Sequence, residues 1–84
     1  MYEIEYQKKA LKFLCKMPKK QREAIYAKMD KIAHHDTIGL DITKLVGREG
    51  YRLRVGDYRV IYQIKHNVLL ILVLDVDSRG GIYK

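Results

Sequence analysis

Tyr2, Ile4 and Tyr6 alternate with Glu3 and Glu5, the period of two expected of a short strand with one covered face. From Gln7 the period changes. Ala10, Phe13, Leu14 and Met17 fall at i, i+3, i+4 and i+7, with Lys8, Lys9, Lys12 and Lys16 largely on the other side, which predicts an amphipathic helix. Pro18 has no N–H and a preset φ, so it ends that helix near Met17 and suits the first turn of a second one. Ile25, Met29, Ile32 and Ala33 continue the helical spacing, with Lys20, Arg22, Glu23, Lys28 and Lys31 turned to water, as far as His34 or His35. The two helices are expected to form a hairpin.

Residues 35–50 contain Asp36, Thr37, Gly39, Asp41 and the group Gly47-Arg48-Glu49-Gly50, the composition of a long connection with a tight turn before a strand. Leu40, Ile42, Leu45 and Val46 are expected to pin it to the core. Residues 51–55 and 58–65 are rich in β-branched and aromatic side chains and are separated by Gly56-Asp57, a pair suited to a two-residue II′ or I′ hairpin loop. Residues 68–76 are apolar at nearly every position, which predicts a central strand covered on both faces, entered through a turn at His66-Asn67. Residues 79–84 are expected to leave the sheet as a short tail. Strand, helix, helix, strand, strand, strand reads as an α+β fold. One layer of two helices lies against one face of a mainly antiparallel sheet, in a single domain over residues 1–84.

Charge narrows the choice of partner. The 84 residues carry 17 Lys+Arg against 10 Asp+Glu, a formal charge of +7, which points to a polyanion such as nucleic acid or to an acidic protein. Disorder is excluded by 48% apolar residues in regular spacing. A domain this short is marginally stable by itself, so partner binding can matter for its stability. The single cysteine, Cys15, cannot form an internal disulfide. Its helical position predicts a small core residue, and the cytoplasm is the expected compartment. The apolar run at residues 68–74 is too short to span a bilayer and the N-terminus is polar, so neither membrane insertion nor export is expected.

A two-residue loop at Gly56-Asp57 pairs Val55 with Tyr58, Arg54 with Arg59, Leu53 with Val60 and Arg52 with Ile61. Side chains directly opposite lie about 5 Å apart at Cβ, and like charges there destabilise a sheet. Arg52 shares the face of Arg54 by alternation, so three guanidinium groups converge where a local rule is broken, as happens at functional sites. Each arginine presents a planar charged fork matched to phosphate oxygens. Tyr51, Tyr58 and Tyr62 point the other way, into the core. Arg79 and Tyr83 follow the strand expected beside residues 58–65 and can reach the same end, which suggests single-stranded RNA with a base stacked on the ring. Asp57, Asp75 and Asp77 offer the plainer alternative of surface salt bridges; three arginines on one face plus Arg79 argue against it. The helix lysines read as an ordinary solvated face.

Other chemistries fit less well. His34 and His35 suit a helix C-terminus. His66 lies about 23 Å from Arg59 along its strand at roughly 3.3 Å per residue and cannot serve the arginine patch. Asp75 and Asp77 read as charge partners rather than a metal site. No metal and no small-molecule cofactor is expected.

Lys44-Leu45-Val46-Gly47, the stretch from Tyr51 to Gln63 (YRLRVGDYRVIYQ), Val76-Asp77-Ser78-Arg79 and a terminal Tyr83 resemble the RelE/ParE superfamily of bacterial toxins over essentially the whole chain. The resemblance implies a RelE-like α+β ribonuclease fold and a cognate acidic antitoxin that wraps and inhibits the toxin. For the RelE branch it implies ribosome-dependent cleavage of mRNA in the A site, without a metal. For the ParE branch it implies poisoning of DNA gyrase instead, and a non-catalytic antitoxin-binding module is a third possibility. On the RelE pattern Arg52 and Arg54 bind and activate the scissile region and Arg59 holds phosphate. Arg79 and Tyr83 assist the leaving group and stack the base. Lys44, Arg48 and Lys84 are candidate RNA-binding residues beside them. Relatives often have lysines at the positions of Arg52 and Arg54, and arginine is a poor general base. Many also carry a histidine where this chain has Ser78 and an arginine where it has Gly80. These departures shift the expected chemistry toward electrostatic stabilisation and groups supplied by the ribosome.

Overall fold

The computed structural model describes residues 1–78. The N-terminal alternation forms β1 (Glu3–Tyr6) and the two amphipathic segments form α1 (Lys8–Lys16) and α2 (Lys19–Ala33). After them come β2 (Asp41–Lys44), β3 (Tyr51–Val55), β4 (Tyr58–Lys65) and β5 (Leu70–Ser78). The five strands make one sheet in the order β1-β5-β4-β3-β2. Every neighbouring pair is antiparallel except β1 and β5, which run parallel with Ile4 opposite Ile71. Met17, before the proline, is extended at ψ 154°, as steric conflict with a following proline ring demands. Pro18 caps α2 at φ −57°. Across this short link the Arg22 guanidinium donates to the Leu14 carbonyl at 3.3 Å.

Both helices lie on one face of the sheet, α1 against β5 and α2 against β1 and β3. Ala10, Leu14, Ile25 and Met29 from the helices meet Leu53, Val60, Tyr62, Ile71, Val73 and Val76 from the strands in one buried core. Each such large apolar side chain contributes about 1.5–3 kcal/mol by leaving water. Among the described residues no layer covers the other face of the sheet.

Five expectations are corrected. The connection before β3 contains a strand: β2 pairs with β3, Ile42 opposite Leu53. One apolar residue in four was too weak a pattern to announce it. Leu40 and Ile42 pack against the core, but Val46 is 97% exposed and pins nothing. β5 is covered on one face only: Ile71, Val73 and Val76 are buried while Leu70 and Leu72 are half-exposed. The turn into it is longer than His66-Asn67, a 3-10 turn over His66–Val68 followed by Leu69 at φ 53°. Cys15 is exposed, because one residue past Leu14 is about 100° around the helix from the buried stripe. No helix among the described residues is long and apolar enough to cross a membrane.

Candidate nucleic-acid interface

Gly56 takes φ +59° while Asp57 keeps the ordinary sign, the pattern of a II′ turn. That turn sets the β3–β4 register: Val55 opposite Tyr58, Arg54 opposite Arg59, Leu53 opposite Val60 and Arg52 opposite Ile61. Leu53, Val55 and Val60 are buried under the helices, so alternation puts Arg52, Arg54 and Arg59 together on the open face. Tyr51, Tyr58 and Tyr62 point to the helix side, with Tyr51 and Tyr62 stacked at 5.5 Å and Phe13 edge-on to Tyr58 at 6.1 Å.

The cross-strand partners continue the row outward. Arg54 faces Asp41 on β2, and Arg59 faces Asp77 on β5, so one line across the sheet reads acid, base, base, acid. Only one of its ion pairs is closed. Arg59 Nε donates to Asp77 Oδ1 at 3.1 Å and Arg59 Nη2 to the Ser78 carbonyl at 3.4 Å. Among the described residues neither Arg52 nor Arg54 has a hydrogen-bond or ion-pair partner. Two guanidinium groups without a closed ion pair among the described residues therefore stand beside a third that is anchored. They form a cationic surface with free N–H donors, able to hold a phosphate and to stabilise charge that builds on its oxygens.

Positive charge also borders this face at the β5 edge. β1 stops opposite Val73, and α1 runs alongside the rest of β5. A groove there is lined by Lys9, Lys12 and Lys16 with Asp75 and Asp77. Lys9 Nζ lies 3.3 Å from Asp75 Oδ2. The two aspartates are thus charge partners, one of a lysine and one of an arginine. Among the described residues no group of three or more His, Cys, Asp or Glu is placed to hold a metal ion.

The remaining candidates are not gathered with the arginines. Lys44 is in register with Tyr51, hence on the helix side, and lines a small groove with Glu49, Gly50, Ile64 and His66. Arg48 is exposed in the turn before Gly50. Arg79, Tyr83 and Lys84 lie outside the described residues. At the far end of the sheet is a cluster that sequence reading missed. The Tyr2 hydroxyl is 2.7 Å from His66 Nδ1, and the Tyr2 ring is edge-on to His66 at 5.8 Å and to His35 at 5.0 Å. These rings are 31 or more positions apart in sequence, so no local pattern announced them. His34 Nδ1 lies 2.8 Å from the Asp30 carbonyl at the end of α2, as expected. Burial, followed by the neighbouring Tyr51, pushes the Tyr62 hydroxyl up to about 12. Burial, with Tyr26 and Asp30 nearby, pushes Tyr6 up as well. Both phenols keep their protons at neutral pH.

The family model described as ParE toxin of type II toxin-antitoxin system, parDE, matches residues 4–83. No curated protein matches the chain. Among solved structures, a chain of the archaeal RelE-RelB complex from Pyrococcus horikoshii OT3 is 29% identical, with 94% of this chain and 96% of that one covered at a TM-score of 0.76. A chain of the intact E. coli RelBE toxin-antitoxin complex is 25% identical, covered 95% and 98% with a TM-score of 0.77. The isolated E. coli RelE toxin shares the fold at a TM-score of 0.80 and 23% identity, with coverage of 95% and 86%.

Proposed function

Since the chain belongs to the RelE/ParE superfamily, as a toxin of a type II toxin-antitoxin system, we propose that it acts as a ribosome-dependent mRNA endoribonuclease that halts translation. The observation that carries this reading is Arg54 directly opposite Arg59, with Arg52 beside them on the open face. A scaffold with no use for a phosphate gains nothing from like charges in register.

In the proposed reaction the RNA supplies its own nucleophile. The ribose 2′-oxygen bonds to the adjacent phosphorus, the bond from phosphorus to the 5′-oxygen breaks, and a proton passes from the 2′-hydroxyl side to the leaving 5′-oxygen. A 2′,3′-cyclic phosphate and a 5′-hydroxyl result. Arg52 and Arg54 bind the scissile region, Arg59 holds the phosphate, and the three stabilise the charge that grows on its non-bridging oxygens. Arg79 is assigned to the leaving group and Tyr83 to stacking of a base. Lys44, Arg48 and Lys84 are assigned to flanking RNA. The partners are the ribosome with its mRNA and a cognate acidic antitoxin, in keeping with the antitoxin complexes of the related structures.

The test is to map mRNA ends after induction, with and without ribosomes. New 5′ ends should appear on ribosome-bound messages and vanish with Arg59→Ala and Arg79→Ala; cleavage by both variants at the parent's rate would refute the site. A second reading is favoured by the matched family model, which is that of ParE. The chain would then bind DNA gyrase without catalysis, and induction would trigger DNA-damage signalling while mRNA stayed intact.

A further inference from the structure

We propose that Asp77 is a positioning residue for Arg59, an inference that rests on the ribonuclease reading above and adds a residue to its site. The register places Asp77 opposite Arg59 on one side and Arg54 opposite it on the other. Left to itself, the Arg59 side chain would be repelled by Arg54 and would sample many rotamers. Two acceptors from one strand prevent this: Asp77 Oδ1 at 3.1 Å from Nε and the Ser78 carbonyl at 3.4 Å from Nη2. Both lie along the Nε–Nη2 edge of the guanidinium, so that edge is turned to β5. Asp75 does not compete for it, being engaged by Lys9 at 3.3 Å.

A guanidinium has five N–H donors in a fixed plane. With one on Nε and one on Nη2 committed to β5, the pair on Nη1 and the second on Nη2 remain. They form a second fork, which suits two oxygens of a phosphate. Side-chain exposures of 34% for Arg59 and 45% for Asp77 place the pair partly out of water, where it holds geometry better than a fully solvated pair. The carboxylate acts through Arg59 and does not touch the RNA. Its own negative charge opposes a phosphate nearby, and this separates two effects of removing it: phosphate placement is lost, while polyanion attraction is not.

The experiment uses the full chain in three forms: parent, Asp77→Ala and Asp77→Asn. Single-turnover cleavage of ribosome-bound mRNA is measured beside binding of an oligoribonucleotide blocked by a 2′-O-methyl group at the scissile position. Asp77→Ala should slow cleavage by about 10- to 100-fold, the scale set by misplacing a positioned group, with binding unchanged or tighter. Asp77→Asn keeps an oxygen acceptor for Nε and should retain most of the rate. The Arg59 Nε–H resonance should be protected from exchange in the parent and Asp77→Asn and lose protection in Asp77→Ala. Full cleavage by Asp77→Ala, a loss of binding that matches the loss of rate, or equal impairment of both variants overturns the inference. Arg59→Ala keeps the two questions apart. If Arg59→Ala is inactive and Asp77→Ala fully active, only the positioning role falls; if Arg59→Ala cleaves normally, the ribonuclease site itself falls.

Discussion

Arg54 and Arg59 face each other across β3 and β4, where like charges cost a sheet roughly 0.2–1 kcal/mol. Removing one should relieve that cost. Arg54→Gln is expected to raise the thermal midpoint by a few degrees, since about 1 kcal/mol corresponds to roughly 4–8 °C in a domain of this size. The same variant should cleave mRNA more slowly. Calorimetry beside the cleavage assay checks both, and a lower midpoint would show that Arg54 stabilises the sheet. This opposition was legible from the chain alone, because Gly56-Asp57 dictates a two-residue loop and the loop dictates the register. Asp77 was legible as a charge partner for the arginines, but its pairing with Arg59 in particular was not. It depends on the β4–β5 register, which slips between Ile61 and Tyr62 so that Leu74 stands opposite no residue. An apolar run such as 68–76 carries no mark of a bulge.

A second residue-scale prediction concerns Tyr62, whose hydroxyl is raised from 10.0 to about 12 by burial and then by Tyr51. The unfolded chain releases this proton near 10 and the folded chain near 12. The folded state therefore binds the proton more tightly, and the resulting stability, complete below pH 10, is lost as pH rises from 10 to about 12. At about 1.4 kcal/mol per unit this is on the order of 2–3 kcal/mol. The urea midpoint should fall over that window, and Tyr62→Phe should flatten the fall.

At the scale of elements, β2 and β3 are joined by a turn that only one residue type closes. Leu45 donates its N–H to the Gly50 carbonyl at 3.0 Å. Gly50 sits at φ +129°, where a Cβ would lie 2.8 Å from the Tyr62 carbonyl oxygen. Neither the backbone angle nor the β4 main chain can yield cheaply. Gly50→Ala should cost about 1–3 kcal/mol and lower the thermal midpoint by roughly 4 °C or more. An unchanged midpoint would mean that the turn reshapes freely. The Gly47-Arg48-Glu49-Gly50 group thus announced the turn correctly, while the strand before it stayed hidden. Asp41-Ile42-Thr43-Lys44 offers a single apolar side chain, and its pairing comes from β3 rather than from its own pattern. The parallel contact of β1 with β5 was hidden for the same reason: alternation marks a strand but not its neighbour. The helices were read closely because Pro18 and the apolar spacing both act locally.

For the molecule as a whole, the decisive asymmetry among the described residues is that two helices cover one face of the sheet, while Arg52, Arg54 and Arg59 stand on the other. A formal charge of +7 draws any polyanion, so affinity alone does not locate a binding site. The salt dependence of affinity does. Each phosphate neutralised on a single strand adds about 0.7 to the slope of log affinity against log salt. If Arg52, Arg54 and Arg59 each take a phosphate, a single-stranded oligoribonucleotide should bind with a slope of about −2 or steeper. Replacing any one of them with alanine should remove about 0.7 from it. Lys31, in the last turn of α2 on the covered side, serves as the control: Lys31→Ala lowers the net charge as much as Arg52→Ala does but should leave the slope unchanged. Equal changes for Lys31→Ala and Arg52→Ala would mean that the RNA is held by diffuse charge. A slope much steeper than −2 in the parent would bring in the Lys9, Lys12 and Lys16 row at the β5 edge. In the sequence that row has the pattern of a solvated helix face, and its lysines are exposed here too; the spacing along a helix carries no mark of the strand the helix lies beside.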